Sequence, residues 1–172
     1  MKKYIVLLRG INVSGKNKIP MVTLRELLND LEFQNVQTYI QSGNIILTSE
    51  QSKLEVSKRI KKGILKKFDL DIHVIVKTVL ELNEIIKNYP FSLENEKIVA
   101  FTFLDKISDK ETIEVKNIGE DLYKIVKDVV YLNCKSGFGK TKLTNNVLEK
   151  KLDVNATTRN LKTTLKLAEL AK

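Results

Sequence analysis

The chain has 172 residues, a single cysteine and a formal net charge of +9, from 30 Lys and Arg against 21 Asp and Glu. One cysteine excludes an intramolecular disulfide framework and fits a reducing compartment. The sequence has no basic-then-apolar leader, and no apolar run approaches the roughly 18 residues that a membrane helix needs. We therefore expect a soluble cytoplasmic protein of one or two small domains, without a membrane partner.

Charge is spread unevenly along the chain. The net charge is +7 over residues 1–77, −4 over residues 78–134 and +6 over residues 135–172. Segregated positive charge is typical of proteins that bind polyanions. The alternative is a lysine-rich composition on solvated faces, because only four of the 30 cations are arginine. Composition alone leaves both interpretations open.

The first half alternates strand and helix patterns. Tyr4–Leu8 is apolar throughout, as in a buried central strand, and Val36–Gln41 alternates, as in a half-buried strand. Further predicted elements are strands at Ile45–Thr48 and Ile72–Lys77, a helix opening at Pro20, and a helix from the Ser52/Glu55 capping box to Phe68, with Leu54, Ile60, Ile64, Leu65 and Phe68 as its apolar face. The order strand, helix, strand, strand, helix, strand is that of the ferredoxin-like plait.

The second half repeats this order after a connector helix capped by Thr78 and Glu81. Its predicted elements are strands at Ile98–Leu104, Leu122–Val126, Val129–Asn133 and Thr157–Thr158, a short helix at the Ser108/Glu111 capping box, a helix over Thr141–Leu152 and a final helix capped by Asn160. The fold prediction is therefore α+β, with two ferredoxin-like subdomains in tandem, at residues 1–77 and 78–172, and an extra C-terminal helix.

Four segments make the chain similar to a known bacterial family. They are RGINVSGKNKIPM at Arg9–Met21, TYIQSGNIIL at Thr38–Leu47, GFGKTKLTNNVLEKKL at Gly137–Leu152 and ATTRNLKTTLKL at Ala156–Leu167. In these segments the sequence resembles the domain-of-unknown-function family DUF 1697, and the resemblance runs nearly from end to end. It implies a pair of ferredoxin-like units and supplies no catalytic residue. The chain departs from the usual family pattern at Ser14 and Leu161, where glycine and tryptophan are commoner.

The loop Arg9–Lys18 combines glycines, asparagines, a serine and three cations directly after the first strand. In a ferredoxin-like order the end of that strand meets the turn joining the second and third strands, here Gln41–Asn44. We expect an anion-binding cluster there, because backbone amides of such loops and nearby cations attract phosphates. The alternative is a surface loop whose asparagines and glycines only satisfy turn geometry. The candidate ligand-binding residues are Arg9, Asn12, Lys16, Asn17, Ser42 and Asn44.

The same argument in the second half brings Lys135–Lys142 beside Thr158–Asn160. The candidate ligand-binding residues of this second cluster are Lys140, Thr141, Lys142, Arg159 and Asn160. The sequence leaves open whether the two clusters form one cleft and what the oligomeric state is.

Specific catalytic signatures are weak. Gly10–Lys16 fits the start of a P-loop, but Asn17 replaces the hydroxyl residue that binds magnesium, and Pro20 delays the following helix. We therefore predict that the protein is not a P-loop NTPase. His73 is the only histidine and Cys134 the only cysteine, so we expect no metal site, no cofactor and no nucleophile–base pair.

Three functions remain open from the sequence. The first is a binding module for an anionic ligand, which is a nucleotide, a phosphorylated metabolite or a nucleic acid. The second is an enzyme that acts on a phosphorylated small molecule through Lys and Arg electrostatics. The third is a scaffold or assembly protein without a small-molecule site. We favour the first, because the polar loops and the basic segments coincide.

Overall fold

The computed structural model describes residues 1–172 and has the predicted mixed α+β fold. The chain divides into two compact units, one formed by Met1–Asn83 with Leu167–Lys172 and the other by Glu84–Lys166. Each unit contains one four-stranded antiparallel sheet, and the fold has five α-helices in all. None of these helices is both long and apolar enough to cross a bilayer.

The first unit contains a sheet covered on one face by two helices. Its elements are β1 (Lys2–Leu8), α1 (Met21–Asp30), β2 (Gln34–Tyr39), β3 (Asn44–Ser49), α2 (Lys53–Phe68) and β4 (Val74–Thr78). The strand order is β2-β3-β1-β4, so β1 pairs antiparallel with β3 on one side and β4 on the other. Residues 4–8 of β1 are all buried, which explains an uninterrupted apolar run in place of alternation.

The N-terminus of α2 is fixed by local hydrogen bonds. The Glu55 carboxylate accepts a hydrogen bond from the Ser52 backbone N–H at 2.8 Å, and the Ser52 hydroxyl oxygen accepts one from the Glu55 N–H at 3.4 Å. Hydrogen bonds from the Ser52 side chain and backbone hold the pKa of Glu55 below its ordinary value. The predicted capping box is thus confirmed, and α2 ends at Phe68 as predicted.

The predicted apolar face of α2 is wrong at two positions. Leu54 is 62% exposed and Leu65 is 46% exposed, whereas Val56 is fully buried. At about 100° per residue, Leu54 and Leu65 lie on the side of the helix opposite Val56. The buried stripe of α2 follows the four-residue spacing of Val56, Ile60 and Ile64.

The second unit repeats the strand order with fewer helices. Its elements are β5 (Val99–Leu104), β6 (Leu122–Val126), β7 (Val129–Asn133), α4 (Asn145–Leu152) and β8 (Ala156–Asn160), with one turn of 3-10 helix at Glu96–Ile98. The order β6-β7-β5-β8 corresponds to that of the first sheet. The connector helix α3 (Val79–Lys87) and the final helix α5 (Leu161–Leu170) each contribute residues to both units.

The short helix predicted at Ser108–Glu111 is absent, and residues 105–121 contain no helix. The Ser108 hydroxyl oxygen accepts a hydrogen bond from the Lys110 N–H at 3.1 Å and donates to the Lys110 carbonyl, so it closes a local turn. The apolar residues that follow are Ile113, Val115 and Ile118, whose spacing makes no helical stripe. We call residues 105–121 the second crossover.

Helix α4 begins later than predicted. The helix predicted from Thr141 starts at Asn145, with Thr144 as its N-cap accepting a hydrogen bond from the Val147 N–H at 3.3 Å. Two other predictions at this end are confirmed. β8 is present, and the Asn160 side chain accepts a hydrogen bond from the Thr163 N–H at 2.9 Å at the start of α5.

Candidate functional site

The loop after β1 is held by the side chain of Asn12. Its amide donates to the carbonyls of Gln41, at 2.8 Å, and Ile19, at 3.0 Å, and its oxygen accepts from the Ile19 N–H at 2.9 Å. Asn17 closes the same loop by donating to the Gly10 carbonyl at 2.9 Å. The loop and the Gln41–Asn44 turn therefore lie side by side, as the element order predicts.

The turn between β2 and β3 is organised around Asn44 and Gly43. The fully buried amide of Asn44 donates to the Tyr39 carbonyl at 3.1 Å and to the Ser42 hydroxyl at 2.9 Å. Gly43 has φ +76°, and a Cβ there would lie 2.7 Å from the Leu8 Cβ, so no side chain fits. Asn44, like Asn12 and Asn17, thus bonds within these two loops, in agreement with a role in shaping the backbone.

The cations of this first cluster differ in their surroundings. Arg9 is half-buried, and its backbone N–H donates to the His73 carbonyl at 3.0 Å, whereas Lys16 and Lys18 are exposed. The next helix, α1, begins at Met21, with no side-chain cap at Pro20. No helix N-terminus therefore lies at Lys16, where a P-loop would need one.

The loop after β7, residues 134–142, is tightly folded. The Gly137 N–H donates to the Cys134 carbonyl at 2.8 Å, and the N–H groups of Lys140 and Thr141 both donate to the Gly137 carbonyl at 3.0 Å. Lys140 and Lys142 are exposed, and Thr141 is half-buried. The loop presents lysines to solvent from a turn whose backbone is fixed.

Arg159 and Asn160 are engaged in local structure. The buried Arg159 guanidinium donates to the Thr157 hydroxyl at 2.7 Å and to the Thr158 carbonyl at 2.9 Å, and burial lowers its pKa to about 10. Asn160 caps α5. In the register, Asn133 pairs with Val99 and Asn160 with Ala100, so β7 and β8 end on either side of the start of β5. The two strands at the predicted second cluster therefore end at the same edge of the sheet.

A surface cavity of about 460 Å³ lies in the second unit. We call it the lysine cavity, because three of its eight lining residues are lysines and one is an acid. The lining residues are Glu114, Val115, Lys116, Thr141, Lys142, Thr144, Val147 and Lys151. Two of them, Thr141 and Lys142, are among the candidates predicted from the sequence, whereas Lys140, Arg159 and Asn160 do not line it.

The lysine cavity lies between an irregular segment and a helix. One wall is Glu114–Lys116 of the second crossover, and the other is α4 with the loop before it. The Lys110 ammonium donates to the Lys151 carbonyl at 2.5 Å, which ties the crossover to the last turn of α4. Sequence reasoning missed Lys116, because the crossover was expected to be partly helical and lies in the acidic middle of the chain. It also missed Lys151, because nothing in the sequence places the last turn of α4 beside the crossover.

The crossover wall is anchored by Tyr123 of β6. Its hydroxyl donates to the Ile113 carbonyl at 2.6 Å and accepts from the Ile113 N–H at 3.0 Å, so both backbone groups of one residue are satisfied by one side chain. Ile113 directly precedes Glu114. Val115, Ile118 and Tyr123 pack against the buried core of the unit.

The opposite wall is anchored by Asp121. Its carboxylate accepts hydrogen bonds from the Ser136 N–H and the Ser136 hydroxyl, both at 2.7 Å, and it is 3% exposed. Burial opposes its ionisation, but the two Ser136 hydrogen bonds and a smaller contribution from Thr141 hold the pKa of Asp121 below its ordinary value. Asp121 is therefore an ionised acceptor that fixes the loop after β7.

The thiol of Cys134 and the acidic side chains do not form a recognisable catalytic or metal-binding group. Burial raises the pKa of the Cys134 thiol, although a hydrogen bond with Thr141 opposes this effect, so the thiolate that acts as a nucleophile is disfavoured. No group of three or more His, Cys, Asp or Glu residues could hold a metal ion. The reactive groups of the lysine cavity are therefore its lysine ammonium groups, which can attract an anion.

Comparison with known proteins places this geometry in a family. The chain is similar to a solved structure, the conserved bacterial protein SP0830 from Streptococcus pneumoniae, with 24% sequence identity, a TM-score of 0.73 and 99% of each chain covered. At this identity the likeness shows the fold alone. No curated protein matches the chain. The family described as "Protein of unknown function (DUF1697)" matches residues 1–131, and the chain therefore belongs to the DUF1697 family.

Proposed function

We propose that the protein binds a small phosphate-bearing molecule in the lysine cavity. The observation that carries this proposal is the grouping of Lys116, Lys142 and Lys151 around a recess of about 460 Å³ with one acid, Glu114. Ligand pockets usually measure about 300–1,000 Å³, so a phosphorylated metabolite or a mononucleotide fits this volume. Lysine ammonium groups attract phosphate as mobile point charges.

Two threonines and two valines also line the cavity and could contact the uncharged part of a ligand. Val115 and Val147 give apolar lining for the organic part of a ligand, while Thr144 is a hydroxyl at the start of α4. Pockets that bind metabolites typically combine apolar lining with a few convergent polar groups. The proposal is for a binding module, because no nucleophile or acid–base pair accompanies the lysines.

The first cluster has a different role in this proposal. Asn12, Asn17 and Asn44 shape the loops, and exposed Lys16 and Lys18 attract anions without enclosing them. We propose that Arg9–Lys18 and Gln41–Asn44 form a second, shallower anion-binding surface in the first unit. Exposed cations in high dielectric contribute little each, so we expect weak binding at this surface.

The proposal extends to the architecture and location. We infer two ferredoxin-like subdomains divided near residue 78. The strand orders β2-β3-β1-β4 and β6-β7-β5-β8 support this topology, since each has the second and third strands of its unit paired and the first and fourth adjacent. The single buried cysteine supports a reducing, cytoplasmic location.

The test is a thermal-shift screen against sugar phosphates, mononucleotides and short oligonucleotides, followed by calorimetry of each stabilising compound. We expect a phosphorylated small molecule to raise the melting temperature and its affinity to fall as salt is added, because lysine charge is screened. Lys116→Gln and Lys142→Gln should each weaken binding by roughly tenfold, equal to the loss of one charge-assisted hydrogen bond of about 1.5 kcal/mol.

Lys124→Gln is the matched control, because Lys124 is an exposed lysine of β6 in the same unit and does not line the cavity. This variant should bind as the wild type does. If no phosphorylated compound binds, or if Lys124→Gln weakens binding as much as Lys142→Gln, the proposed site is wrong.

A further inference from the structure

The two walls of the lysine cavity are anchored by two residues at the start of strand β6. Asp121 directly precedes β6 and bonds to the loop after β7 through Ser136, and Tyr123 is the second residue of β6 and bonds to the crossover at Ile113. β6 itself is held in the sheet by antiparallel pairing with β7, with Leu122 opposite Asn133. Tyr123 therefore lies in a strand of the sheet, and Asp121 lies next to it.

We infer that Asp121 and Tyr123 are positioning residues, which hold the two lysine-bearing walls at a fixed separation for an anionic ligand. This inference rests on the proposed function for the ligand, but the positioning itself concerns the free protein. Neither residue lines the cavity, so each acts through the segment that it holds.

The contact at Asp121 is transmitted to the cavity through a short turn. Ser136 is bonded to the carboxylate, and the following Gly137 carbonyl accepts from the N–H of Thr141, a residue of the cavity lining. Lys142 follows directly. Ser136 itself is exposed, whereas the Asp121 carboxylate is buried. Asp121→Asn removes the negative charge and one of the two acceptor oxygens, so the hydrogen bonds to Ser136 are weakened and local opening of the loop is favoured.

The contact at Tyr123 is transmitted more directly. Its hydroxyl satisfies both backbone groups of Ile113, next to Glu114 in the chain and close to Lys116. A segment without regular secondary structure depends on such side-chain partners for its backbone groups. Removing the hydroxyl therefore loosens the crossover wall while the ring remains packed in the core.

The single cysteine is a native probe for the first anchor. Cys134 is fully buried and opens the loop after β7, so a thiol reagent reaches it only when this loop opens. We expect Asp121→Asn to accelerate Cys134 labelling in the ligand-free protein by roughly tenfold to hundredfold, the scale of losing one hydrogen bond to a charged acceptor. Asp109→Asn, an exposed acid of the crossover, is the control and should label at the wild-type rate.

Ser136→Ala covers the case in which Asp121→Asn fails to fold. It removes only the hydroxyl donor and should accelerate labelling to a smaller extent. Equal labelling rates in the wild type and in every folded variant of this pair would overturn the role of Asp121.

Amide hydrogen exchange tests the second anchor. We expect Tyr123→Phe to speed exchange in a peptide covering Glu114–Lys116, while Tyr39→Phe, in the first unit, leaves this peptide unchanged. Unchanged exchange in Tyr123→Phe would overturn its role.

Ligand affinity then separates positioning from general stability. Inorganic pyrophosphate is the probe, measured by calorimetry on variants with a wild-type far-UV spectrum. Positioning predicts that Asp121→Asn and Tyr123→Phe weaken its binding severalfold, although neither touches the cavity. A lower melting temperature with unchanged affinity would overturn the inference. If the wild type binds neither pyrophosphate nor any other phosphate compound, the proposed function fails, and the labelling and exchange results still decide whether the walls are held as inferred.

Discussion

The two units of this protein share one strand order but differ in the segment that crosses their sheets first. In the first unit the crossover is helix α1, which buries Leu24, Leu27 and Leu28 against the sheet. In the second unit it is residues 105–121, which contain no helix and whose Ile113, Val115 and Ile118 are only partly buried. The strand order is thus independent of whether this crossover is helical.

The difference has a structural consequence. A helix with its side chains is about 10 Å across and fills the layer beside its neighbour. An irregular segment fills less of that layer, and the lysine cavity lies between the second crossover and α4. Replacement of a helix by an irregular segment thus leaves room for a recess in one unit, and the recess carries the candidate site.

The largest expected effect comes from truncating a buried residue of each crossover. Leu28→Ala in α1 should lower the free energy of unfolding by about 2–5 kcal/mol, because Leu28 is fully buried. Ile113→Ala in the second crossover should cost clearly less, since Ile113 is only half-buried. Urea unfolding followed by circular dichroism measures both, and equal losses would show that the two crossovers contribute alike.

Glycines in the turns of the two units give the next comparison. Gly43→Ala should destabilise by about 2–4 kcal/mol, because a left-handed φ of +76° is combined with a Cβ 2.7 Å from the Leu8 Cβ. Gly137→Ala, at φ +85° in open space, should cost about 1–2 kcal/mol from the backbone alone. The same urea experiment applies, and a greater loss at Gly137 would contradict the close packing at Gly43.

Acid sensitivity should differ between Asp121 and Glu55. The folded pKa of Asp121 is held below the unfolded value of about 3.9, so its ionised form stabilises the fold above that pH. This stabilisation is lost as pH falls through the folded pKa. Asp121→Asn should cost about 1–3 kcal/mol at neutral pH and flatten the acid limb of the stability curve. Urea midpoints measured from neutral to strongly acidic pH report both changes.

Glu55→Gln is the comparison variant in the first unit. The pKa of Glu55 is also lowered, by its bonds to Ser52, but this carboxylate is exposed to solvent. Its variant should therefore flatten the acid limb less than Asp121→Asn. If the two variants respond equally to acid, burial of Asp121 does not strengthen its hydrogen bonds.

The smallest effect is expected at Lys16. Lys16→Ala should change the free energy of unfolding by no more than about 0.5 kcal/mol, since the side chain is exposed. It should also leave magnesium-dependent ATP or GTP hydrolysis at background, because no helix begins at this lysine to face a bound phosphate. Nucleotide hydrolysis by the wild type that disappears in Lys16→Ala would contradict this prediction.

The sequence by itself determined the features that depend on neighbours in the chain. The apolar run of β1, the Ser52/Glu55 capping box and the Asn160 cap of α5 were all predictable, because hydrogen bonds and periodicity over three or four residues decide them. Helix α4 starts four residues later than predicted, and the helix expected after Ser108 is absent. At Ser108 the side chain forms a local turn with the backbone in place of a helix cap.

Only the tertiary structure decided which cations surround a recess. Lys110 contacts the Lys151 carbonyl across 41 residues of sequence, and Asp121 contacts Ser136 across 15, through β6 and β7. Such contacts depend on strand pairing and on the path of an irregular segment, and neither leaves a periodic pattern in the sequence. Thr141 and Lys142 could therefore be named as candidates in advance, whereas Lys116, Lys151 and the anchoring role of Asp121 follow from the folded chain alone.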